Sequence, residues 1–367
     1  MLRFHALKVL EITPDAEDAV AIALEVPPDL RETYRGRAGQ HVVVRHGIDC
    51  QETRRTYSLV NAPDEWPLRI VPRVHAEGRM SRYLAERLRV GDSLEVLPPN
   101  GSFTAREPLA EHATYVAFAA GCGITPVLSI MRALLSGSGS RIILFYGNSG
   151  ANRTMCLEEL LALKDRYLER LALHFVMSRE PQEVELYNGR LDGARVRQFA
   201  GALFEPTRVR EYFVCGPGDM IEQVSSSLRD LGVDGARVHA EHFTLATAES
   251  PAARLPERLE REPAPRKAQV GAAGMAEVTI LMDGRRRSFS MKIDDETVLD
   301  AAERAGIELP FSCRAGVCST CRTKVISGEV AMIQNYALEE WELEQGYVLA
   351  CQSRVKSPSL ELDYDVK

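Results

Sequence analysis

The chain has 367 residues, of which 45% are hydrophobic and 26% charged, with eight cysteines and a formal net charge of −7. A length above about 250–300 residues favours two or three domains over one core, and ordinary hydrophobic and charged fractions exclude a disordered or fibrous protein. The acidic balance argues against a nucleic-acid binder or a polybasic membrane anchor, and no apolar run approaches the roughly 20 residues that span a bilayer, so we expect a soluble, cytoplasmic protein.

The first 108 residues contain short apolar runs separated by prolines and glycines, which is the pattern of an antiparallel β-barrel. One stretch, Ser81–Arg89, has helical periodicity instead. The predicted strands are Phe4–Ile12, Ala19–Val26, His41–Arg45, Thr56–Val60, Leu68–Val74 and Ser93–Leu97.

Two short motifs inside this barrel favour a flavin pocket, with Gly39-Gln-His41 upstream of them. In the first motif, Arg55 would pair with a flavin pyrophosphate, Tyr57 would pack on the isoalloxazine ring and Ser58 would reach its polar edge. The second motif opens the predicted helix, where backbone N–H groups are a natural phosphate site. Each motif alone is weak, because Tyr57 could be a core residue and Arg55 a surface ion pair. The candidate flavin contacts are Arg55, Thr56, Tyr57, Ser58, Gly78, Met80 and Ser81.

Between residues 113 and 245, apolar runs alternate with helical segments, which predicts an α/β domain with a parallel sheet. The expected strands are Tyr115–Ala119, Ile142–Tyr146, Ala172–Met177, Glu211–Cys215 and Arg237–His239. The expected helices are Val127–Leu135, Leu157–Tyr167 and Met220–Leu231.

Two turns of this second domain indicate a nucleotide site. Ala-Gly-Cys-Gly-Ile-Thr-Pro126 follows a strand and opens a helix, and its glycines would let the backbone approach a pyrophosphate, although it is not the G-x-G-x-x-G fingerprint. Cys215-Gly-Pro ends another strand at the same sheet edge, where its thiol could touch a nicotinamide. The alternative is that each turn simply needs small residues. The candidates are Gly121, Thr125 and Gly216 for binding and Cys215 for catalysis.

Ser178 and Arg179 follow a third strand of this domain. A hydroxyl and a guanidinium at the carboxyl end of a strand suit the 2′-phosphate of NADPH, whereas an acidic residue there is typical of NADH sites. Glu180 is adjacent, so NADPH is favoured and NADH stays open.

The segment 248–274 is rich in Pro, Ala, Arg and Glu and is predicted to be a linker. Beyond it, Glu277–Met282 and Arg287–Ile293 flank Asp283-Gly284, which is a hairpin signal. A short helix capped by Thr297 and ended by Gly306 and a last strand at Ser359–Asp363 complete a predicted β-grasp domain of the α+β class.

Four cysteines of this last domain have the spacing C-x4-C-x2-C followed, after 29 residues, by the fourth. This is the plant-type pattern for a [2Fe–2S] cluster. Four buried reduced thiols or a zinc site are the alternatives, but zinc ligands usually come as two paired knuckles. The predicted cluster ligands are Cys313, Cys318, Cys321 and Cys351.

Taken together, the motifs of the first two domains resemble the ferredoxin–NADP reductase superfamily, and the third domain resembles plant-type ferredoxins. The domain order is similar to that of oxygenase reductases of the phenylacetyl-CoA epoxidase type, which Val330–Tyr336 and Gly346–Gln352 also resemble. The chain departs from the superfamily pattern at three positions: Cys122 replaces Ser or Gly, Ser149 replaces an Arg, and Pro72 replaces a Lys.

The resemblance implies an FAD-binding β-barrel at residues 1–108, an NAD(P)H-binding domain at 109–247 and a [2Fe–2S] ferredoxin domain at 275–367. It also implies that Phe243, in Glu241-His-Phe243, lies near the flavin. Because Arg153 lies four residues beyond Ser149, its ability to replace the missing arginine is open. Linker-proximal packing is the alternative for Phe243.

The expected function is an NAD(P)H-dependent reductase that passes electrons through FAD and a [2Fe–2S] cluster to an oxygenase component, that of phenylacetyl-CoA 1,2-epoxidase. Alternatives are the reductase of a Rieske dioxygenase or another monooxygenase, or a non-enzymatic iron–sulfur carrier. Residues 276–367 carry 11 Lys and Arg against 16 Asp and Glu. This acidic excess predicts a face that docks a basic oxygenase; the alternative is that the face is only solvated. Its expected members are Glu339, Glu340, Glu342 and Glu344.

Overall fold

The computed structural model describes residues 3–243 and 274–366. The predicted linker, residues 248–274, therefore lies outside the described residues except for its last one, Gly274. None of the helices within these two ranges has the length and apolar character needed to cross a bilayer.

An antiparallel six-stranded sheet is built from the first hundred residues, as predicted. Its strands are β1 (His5–Pro14), β2 (Val20–Glu25), β3 (His41–Ile48), β4 (Gln51–Ser58), β5 (Leu68–Ile70) and β6 (Ser93–Val96). They are ordered β4-β3-β6-β1-β2-β5, and Leu59, just after β4, bridges to Ile70 in β5. Because that bridge joins the first strand of the order to the last, the sheet curls into a barrel whose interior is apolar.

The helix of the barrel differs from its prediction. It begins at Arg79 rather than Ser81, and α1 (Arg79–Arg82) continues into a π-helical turn, Tyr83–Arg87. Leu84 and Leu88 face the barrel core, which accounts for the apolar periodicity of the sequence here.

A five-stranded parallel sheet follows, and its strand and helix types agree with the prediction. The strands are β7 (Thr114–Ala120), β8 (Arg141–Asn148), β9 (Leu171–Met177), β10 (Tyr212–Gly216) and β11 (Val238–His242). The helices are α2 (Ile124–Gly137), α3 (Leu157–Arg166), α4 (Gly193–Phe199) and α5 (Gly218–Asp230). The order is β11-β10-β7-β8-β9, and every paired strand is parallel.

Alternate residues of β7 supply two apolar cores, one on each face of this sheet. Ala117 lies in one core and Phe118 in the other. The first core also contains Val60 and Phe103 of the barrel, so the barrel and the α/β domain share buried side chains and form one folded unit. The sequence missed α4 because it is only seven residues long.

A separate mixed sheet forms the C-terminal domain. Its elements are β12 (Met275–Met282), β13 (Arg285–Lys292), α6 (Val298–Arg304), β14 (Arg322–Ser327), β15 (Val330–Met332), α7 (Glu340–Glu344), β16 (Tyr347–Leu349), β17 (Ser353–Val355) and β18 (Ser359–Asp363). Five strands are ordered β13-β12-β18-β14-β16, with β12 and β18 parallel, and β15 pairs with β17. The hairpin residues Asp283 and Gly284 both have positive φ, and Thr297 caps α6, as predicted.

Candidate functional site

The turns after β7 and β10 lie against each other at one edge of the parallel sheet. Gly121 has a φ of +55°, a conformation that favours glycine. A Cβ added to Gly123 would collide with the carbonyl oxygen of Cys215, and one added to Gly216 would come 2.9 Å from Met220 Cε. The structure thus brings the predicted nucleotide turns together, and they leave the close backbone access that a pyrophosphate needs.

Cys215 is fully buried between two neighbouring strands, opposite Ala119 of β7 and Glu241 of β11. Burial, and then the nearby Glu241 carboxylate, raises the pKa of the Cys215 thiol well above its ordinary value. Since the raised pKa keeps the thiol protonated at neutral pH, Cys215 is a weak hydrogen-bond donor rather than a nucleophile. A neutral thiol at this position fits contact with a nicotinamide.

Thr125 and Phe243 lie at the same edge but have different surroundings. The Thr125 hydroxyl donates to the carbonyl of Cys122 at 2.9 Å, so it closes the turn before α2. Phe243 comes directly after β11 and packs on the apolar core that contains Cys215. The position of Phe243 near the flavin stays a prediction, and the structure shows that its ring packs on the core of the α/β domain.

Ser178 and Arg179 continue the pairing of β9 with β8 beyond the ends of both strands. The Ser178 N–H donates to the Asn148 carbonyl at 2.9 Å, and the Arg179 N–H donates to the Ser149 carbonyl at 3.0 Å. Both residues are exposed. Their backbones are therefore fixed, while the hydroxyl and the guanidinium face solvent at the rim of the edge.

Arg153 does not belong to this rim. Its guanidinium donates to the carboxylate of Asp18, in the barrel, and its carbonyl accepts from Arg73 at 2.6 Å. Arg153 thus joins the α/β domain to the barrel. Its guanidinium does not replace the arginine that the superfamily pattern has at the position of Ser149. Arg179 is left as the candidate cation for a 2′-phosphate.

In the barrel, the first flavin motif shows a buried hydroxyl that fits a polar ligand. Ser58 Oγ is buried and has no hydrogen-bond partner within the described parts of the chain. Tyr57 packs against the barrel core, and burial raises the pKa of its phenol. Arg55 is exposed, and it donates to the Arg54 carbonyl at 2.7 Å.

The second flavin motif forms a tight turn before α1. Ser81 Oγ accepts from the N–H of His75 and donates to the carbonyl of Gly78, both at 3.2 Å. A side chain at Gly78 would collide with Ser81 Oγ, so glycine is required by close packing. Met80 is buried in the barrel core.

The structure adds a pair that the site prediction did not include. His41 pairs with Ser58 between β3 and β4, and its Nδ1 lies 3.7 Å from Glu241 Oε1 of the α/β domain. Both ring nitrogens of His41 and Oε2 of Glu241 are buried without a hydrogen bond to any described residue. Such buried, unsatisfied polar atoms indicate a polar ligand at this junction, and FAD between the two domains fits them. The sequence signals that could have identified this pair are the motifs Gly39-Gln-His41 and Glu241-His-Phe243, which contain the two residues.

The cysteine loop of the C-terminal domain fits an iron–sulfur cluster. Cys321 and Cys351 adjoin β14 and β16, where the Ala350 N–H donates to the Cys321 carbonyl at 3.0 Å. The Ala315 N–H donates to Cys313 Sγ at 3.3 Å, and Gln352 Nε2 donates to Cys351 Sγ at 3.5 Å. Sulfurs that accept N–H donors suit thiolates of a cluster.

The loop itself needs unusual backbone angles. Arg314, Gly316 and Ser319 all have positive φ, and Cys318, like Cys321 and Cys351, is buried. In the described ranges, no three His, Cys, Asp or Glu side chains are placed to share one metal ion. A [2Fe–2S] cluster has no such requirement, because its four cysteines are divided between two irons.

The predicted acidic face is wrong at one position. Glu342 is completely buried and forms an ion pair with Arg322 Nε at 2.8 Å, and burial raises the pKa of its carboxyl group. It also accepts from the Glu339 N–H at 3.0 Å, within a capping box. Glu342 therefore anchors α7, whereas Glu340 and Glu344 are exposed.

Comparison with known proteins agrees with all three domains. Residues 9–105 match the model of the oxidoreductase FAD-binding domain, residues 118–226 that of the oxidoreductase NAD-binding domain, and residues 280–356 that of the 2Fe-2S iron-sulfur cluster binding domain. The chain is 36% identical over 368 residues to a subunit of the 1,2-phenylacetyl-CoA epoxidase of Escherichia coli K12, covering 100% of this chain and 99% of that protein.

Two further likenesses extend over nearly the whole chain. The ferredoxin reductase component of 3-ketosteroid-9-alpha-monooxygenase from Rhodococcus rhodochrous is 31% identical, covering 98% of this chain and 96% of that protein. The solved structure of phthalate dioxygenase reductase has 23% identity and a TM-score of 0.57, covering 98% of each chain, so it supports the fold.

The candidate flavin, nicotinamide and cluster sites agree with the three family models and with the full-length identities. The chain is an oxidoreductase that uses FAD, a nicotinamide nucleotide and a [2Fe–2S] cluster, and it belongs to the family of three-domain flavin and iron–sulfur reductases that includes the matched subunit of 1,2-phenylacetyl-CoA epoxidase.

Proposed function

We propose that this chain is the NADPH-dependent reductase component of a multicomponent oxygenase, the 1,2-phenylacetyl-CoA epoxidase, and that it works in the cytoplasm. The observation that carries the proposal is 36% identity over the whole chain to a subunit of that enzyme. The three family models fall inside the proposed domains, residues 1–108, 109–247 and 275–367.

Bound FAD, held by the barrel residues around Ser58 and His41, would supply the conversion of a two-electron hydride donor into single electrons for the [2Fe–2S] cluster. The protein binds and orients the flavin and the nicotinamide and shields them from water. Ser58 would supply a hydroxyl and Cys215 a neutral thiol to the bound cofactors, and Phe243 packs on the apolar core that contains Cys215. Hydride and electron transfer require neither a catalytic pair of carboxylates nor a nucleophilic side chain, because orientation and exclusion of water are the main contributions of the protein.

Ser178 and Arg179 are proposed to bind the 2′-phosphate of NADPH. The guanidinium matches a phosphate in charge and geometry, and the exposed position at the carboxyl end of β9 is where a parallel sheet binds the ribose of a dinucleotide. Cys313, Cys318, Cys321 and Cys351 are proposed to hold the cluster.

The test is a reconstituted electron-transfer assay. The purified protein, loaded with FAD and iron–sulfur cluster, is mixed with NADPH or NADH, the oxygenase subunits of a phenylacetyl-CoA epoxidase and phenylacetyl-CoA. We expect epoxide formation that consumes NADPH in preference to NADH. Reduction of ferricyanide without any transfer to those subunits would contradict the assigned acceptor but leave the reductase activity intact.

A second candidate acceptor is a steroid monooxygenase, because the Rhodococcus rhodochrous relative is 31% identical over the whole chain. The same assay separates the two. Transfer to the oxygenase component of 3-ketosteroid-9-alpha-monooxygenase at a higher kcat/KM than to the epoxidase subunits would favour this second function.

A further inference from the structure

Glu180 sits where its charge would oppose a 2′-phosphate, next to Ser178 and Arg179 at the end of β9. The structure shows what the carboxylate does there. Glu180 Oε2 accepts a hydrogen bond from the N–H of Ala151 at 2.7 Å. Its side chain therefore points toward the loop after β8, across the edge of the sheet.

This hydrogen bond continues a series that joins two strands. The N–H of Ser178 bonds to Asn148 and the N–H of Arg179 to Ser149. The next link in the same direction is formed by a side chain, from Ala151 to Glu180. The segment after β8 and the segment after β9, which border the proposed 2′-phosphate site, are thus joined by hydrogen bonds beyond the ends of both strands.

The Ala151 N–H is a donor that the local fold leaves available. Ala151 is the first residue of a short 3-10 turn, Ala151–Arg153, and the first N–H groups of such turns have no acceptor within the turn. A carboxylate at this position satisfies that donor.

Gly150 shows how closely the carboxylate approaches. A Cβ added to Gly150 would lie 2.8 Å from Glu180 Oε2. The backbone of Gly150 is extended, with a φ of −175°, so alanine is permitted by the backbone, but its methyl group would displace the carboxylate from this position. The two residues are therefore complementary in shape as well as joined by a neighbouring hydrogen bond.

We propose that Glu180 is a positioning residue that holds the loop of Ser149–Ala151 against the end of β9 and thereby fixes the rim that receives the adenosine ribose and its 2′-phosphate. This inference rests on the proposed function for the identity of the nucleotide. It assigns to Glu180 the opposite effect from the one its charge suggests, because the carboxylate supports the NADPH site instead of repelling the phosphate.

Two substitutions at position 180 separate the hydrogen bond from the charge. Glu180→Gln keeps an oxygen that can accept from Ala151 and removes the charge, whereas Glu180→Ala removes both. The measurement is the Kd of NADP⁺ and of NAD⁺ for the FAD- and cluster-loaded protein, by calorimetry, together with KM and kcat for NADPH-dependent ferricyanide reduction.

For a positioning residue, Glu180→Ala should weaken NADP⁺ binding roughly 3- to 10-fold, which is the range of one ordinary hydrogen bond in an exposed position. Glu180→Gln should restore affinity to near that of the wild type, and kcat should be unchanged in both. If Glu180 instead repels the phosphate, both variants will bind NADP⁺ more tightly, and the inference is overturned. Equal affinities in all three proteins overturn it as well.

Gly150→Ala provides an independent route to the same result. Its added methyl group displaces the carboxylate while Glu180 remains in the sequence, so its NADP⁺ affinity should fall as in Glu180→Ala. Combining the two substitutions should add little further loss, whereas additive losses would count against a shared cause. Glu183→Ala, at an exposed glutamate in the same loop, is the matched control and should leave Kd unchanged.

The wild-type protein reports separately on the proposed function. If it binds NAD⁺ more tightly than NADP⁺, the assigned nucleotide is wrong. The Glu180 inference is then judged on NAD⁺ by the same variants: loss in Glu180→Ala with recovery in Glu180→Gln supports it, and equal affinities overturn it.

Discussion

The cysteine loop of the C-terminal domain and the nucleotide edge of the parallel sheet are built in different ways. Three of the four proposed cluster ligands lie within nine consecutive residues, Cys313–Cys321, on a loop whose backbone bends through three positive φ angles. The nucleotide edge draws instead on the ends of five strands, from β7 to β11, that are separated by more than a hundred residues.

The difference determines how each site tolerates change. A loop wrapped around a cluster derives its shape from the metal ligands, so loss of one sulfur removes the whole centre. The nucleotide edge derives its shape from the sheet, and each residue contributes a separate contact of modest energy. We therefore expect an all-or-none response in the loop and graded responses at the edge.

The largest effect should follow Cys318→Ser. Loss of a ligand thiolate should abolish the visible absorption and electron paramagnetic resonance signals of the cluster and reduce electron transfer to the oxygenase at least about 100-fold. NADPH–ferricyanide activity, which needs only the first two domains, should be retained. Cys50→Ser, at an exposed cysteine, is the matched control. A Cys318→Ser variant that keeps its cluster signals would contradict the all-or-none response expected of the cysteine loop.

At the nucleotide edge, Gly123→Ala should give the strongest effect. The added Cβ collides with the Cys215 carbonyl, and relief of such overpacking typically costs about 1–3 kcal/mol. NADPH-dependent ferricyanide reduction should fall roughly 5- to 100-fold in kcat/KM, with flavin and cluster content unchanged. Gly218→Ala is the control, since a Cβ there meets no atom within 4 Å. Full activity of Gly123→Ala would show that the contact between the turns is dispensable.

Ser178→Ala and Arg179→Ala should have intermediate effects that are specific to the nucleotide. Loss of charge-assisted hydrogen bonds to a phosphate should raise the KM for NADPH roughly 10-fold per residue and leave the KM for NADH unchanged. Steady-state kinetics with both nucleotides measures this difference, with Arg229→Ala, an exposed arginine of α5, as control. A preference for NADH that neither substitution alters would contradict the 2′-phosphate site.

The same contrast explains how much of each region can be predicted from the sequence. The cysteine spacing predicts the cluster site directly. The hairpin at Asp283-Gly284 and the cap at Thr297 are local signals that the structure confirms. Their physical causes, a turn that needs positive φ and a helix that needs a side-chain acceptor, act within four residues. Local causes are visible in a sequence.

The parts that the sequence did not predict depend on long-range contacts. His41 and Glu241 are 200 positions apart and meet only because β3 and β11 belong to domains that pack together. Glu342 looks like one more residue of an acidic run, but Arg322 on a distant strand holds it in the core. The short strands β15 to β17 have three residues each, too few for a periodicity to show.

We expect the two regions to use cysteine in opposite protonation states, and alkylation tests this. Cluster ligands are thiolates, whereas burial and Glu241 raise the pKa of Cys215. Burial limits access to Cys215, and a raised pKa lowers its thiolate fraction at every pH, so at pH 8 iodoacetamide should modify Cys215 at least about 10-fold more slowly than exposed Cys50. The part of the difference that comes from protonation should show as a labelling rate that rises only above the ordinary thiol pKa of about 8.5. Mass spectrometry of the loaded protein after timed labelling measures both rates. Fast labelling of Cys215 at pH 7 would show a thiolate there and contradict this contrast.

The smallest effect concerns the acidic residues of α7. With Glu342 buried, the exposed carboxylates Glu340 and Glu344 remain for a basic partner. Because surface attraction is screened by salt over about 8–10 Å, electron transfer to the oxygenase should fall roughly 2- to 5-fold between low and high ionic strength. The double variant Glu340→Gln and Glu344→Gln should flatten that dependence, since it removes two of the charges that attract the partner. The control is Glu169→Gln with Glu222→Gln, at two exposed glutamates of the α/β domain. Stopped-flow rates indifferent to salt would mean that these carboxylates are only solvated. The graded response would then be confined to the nucleotide edge.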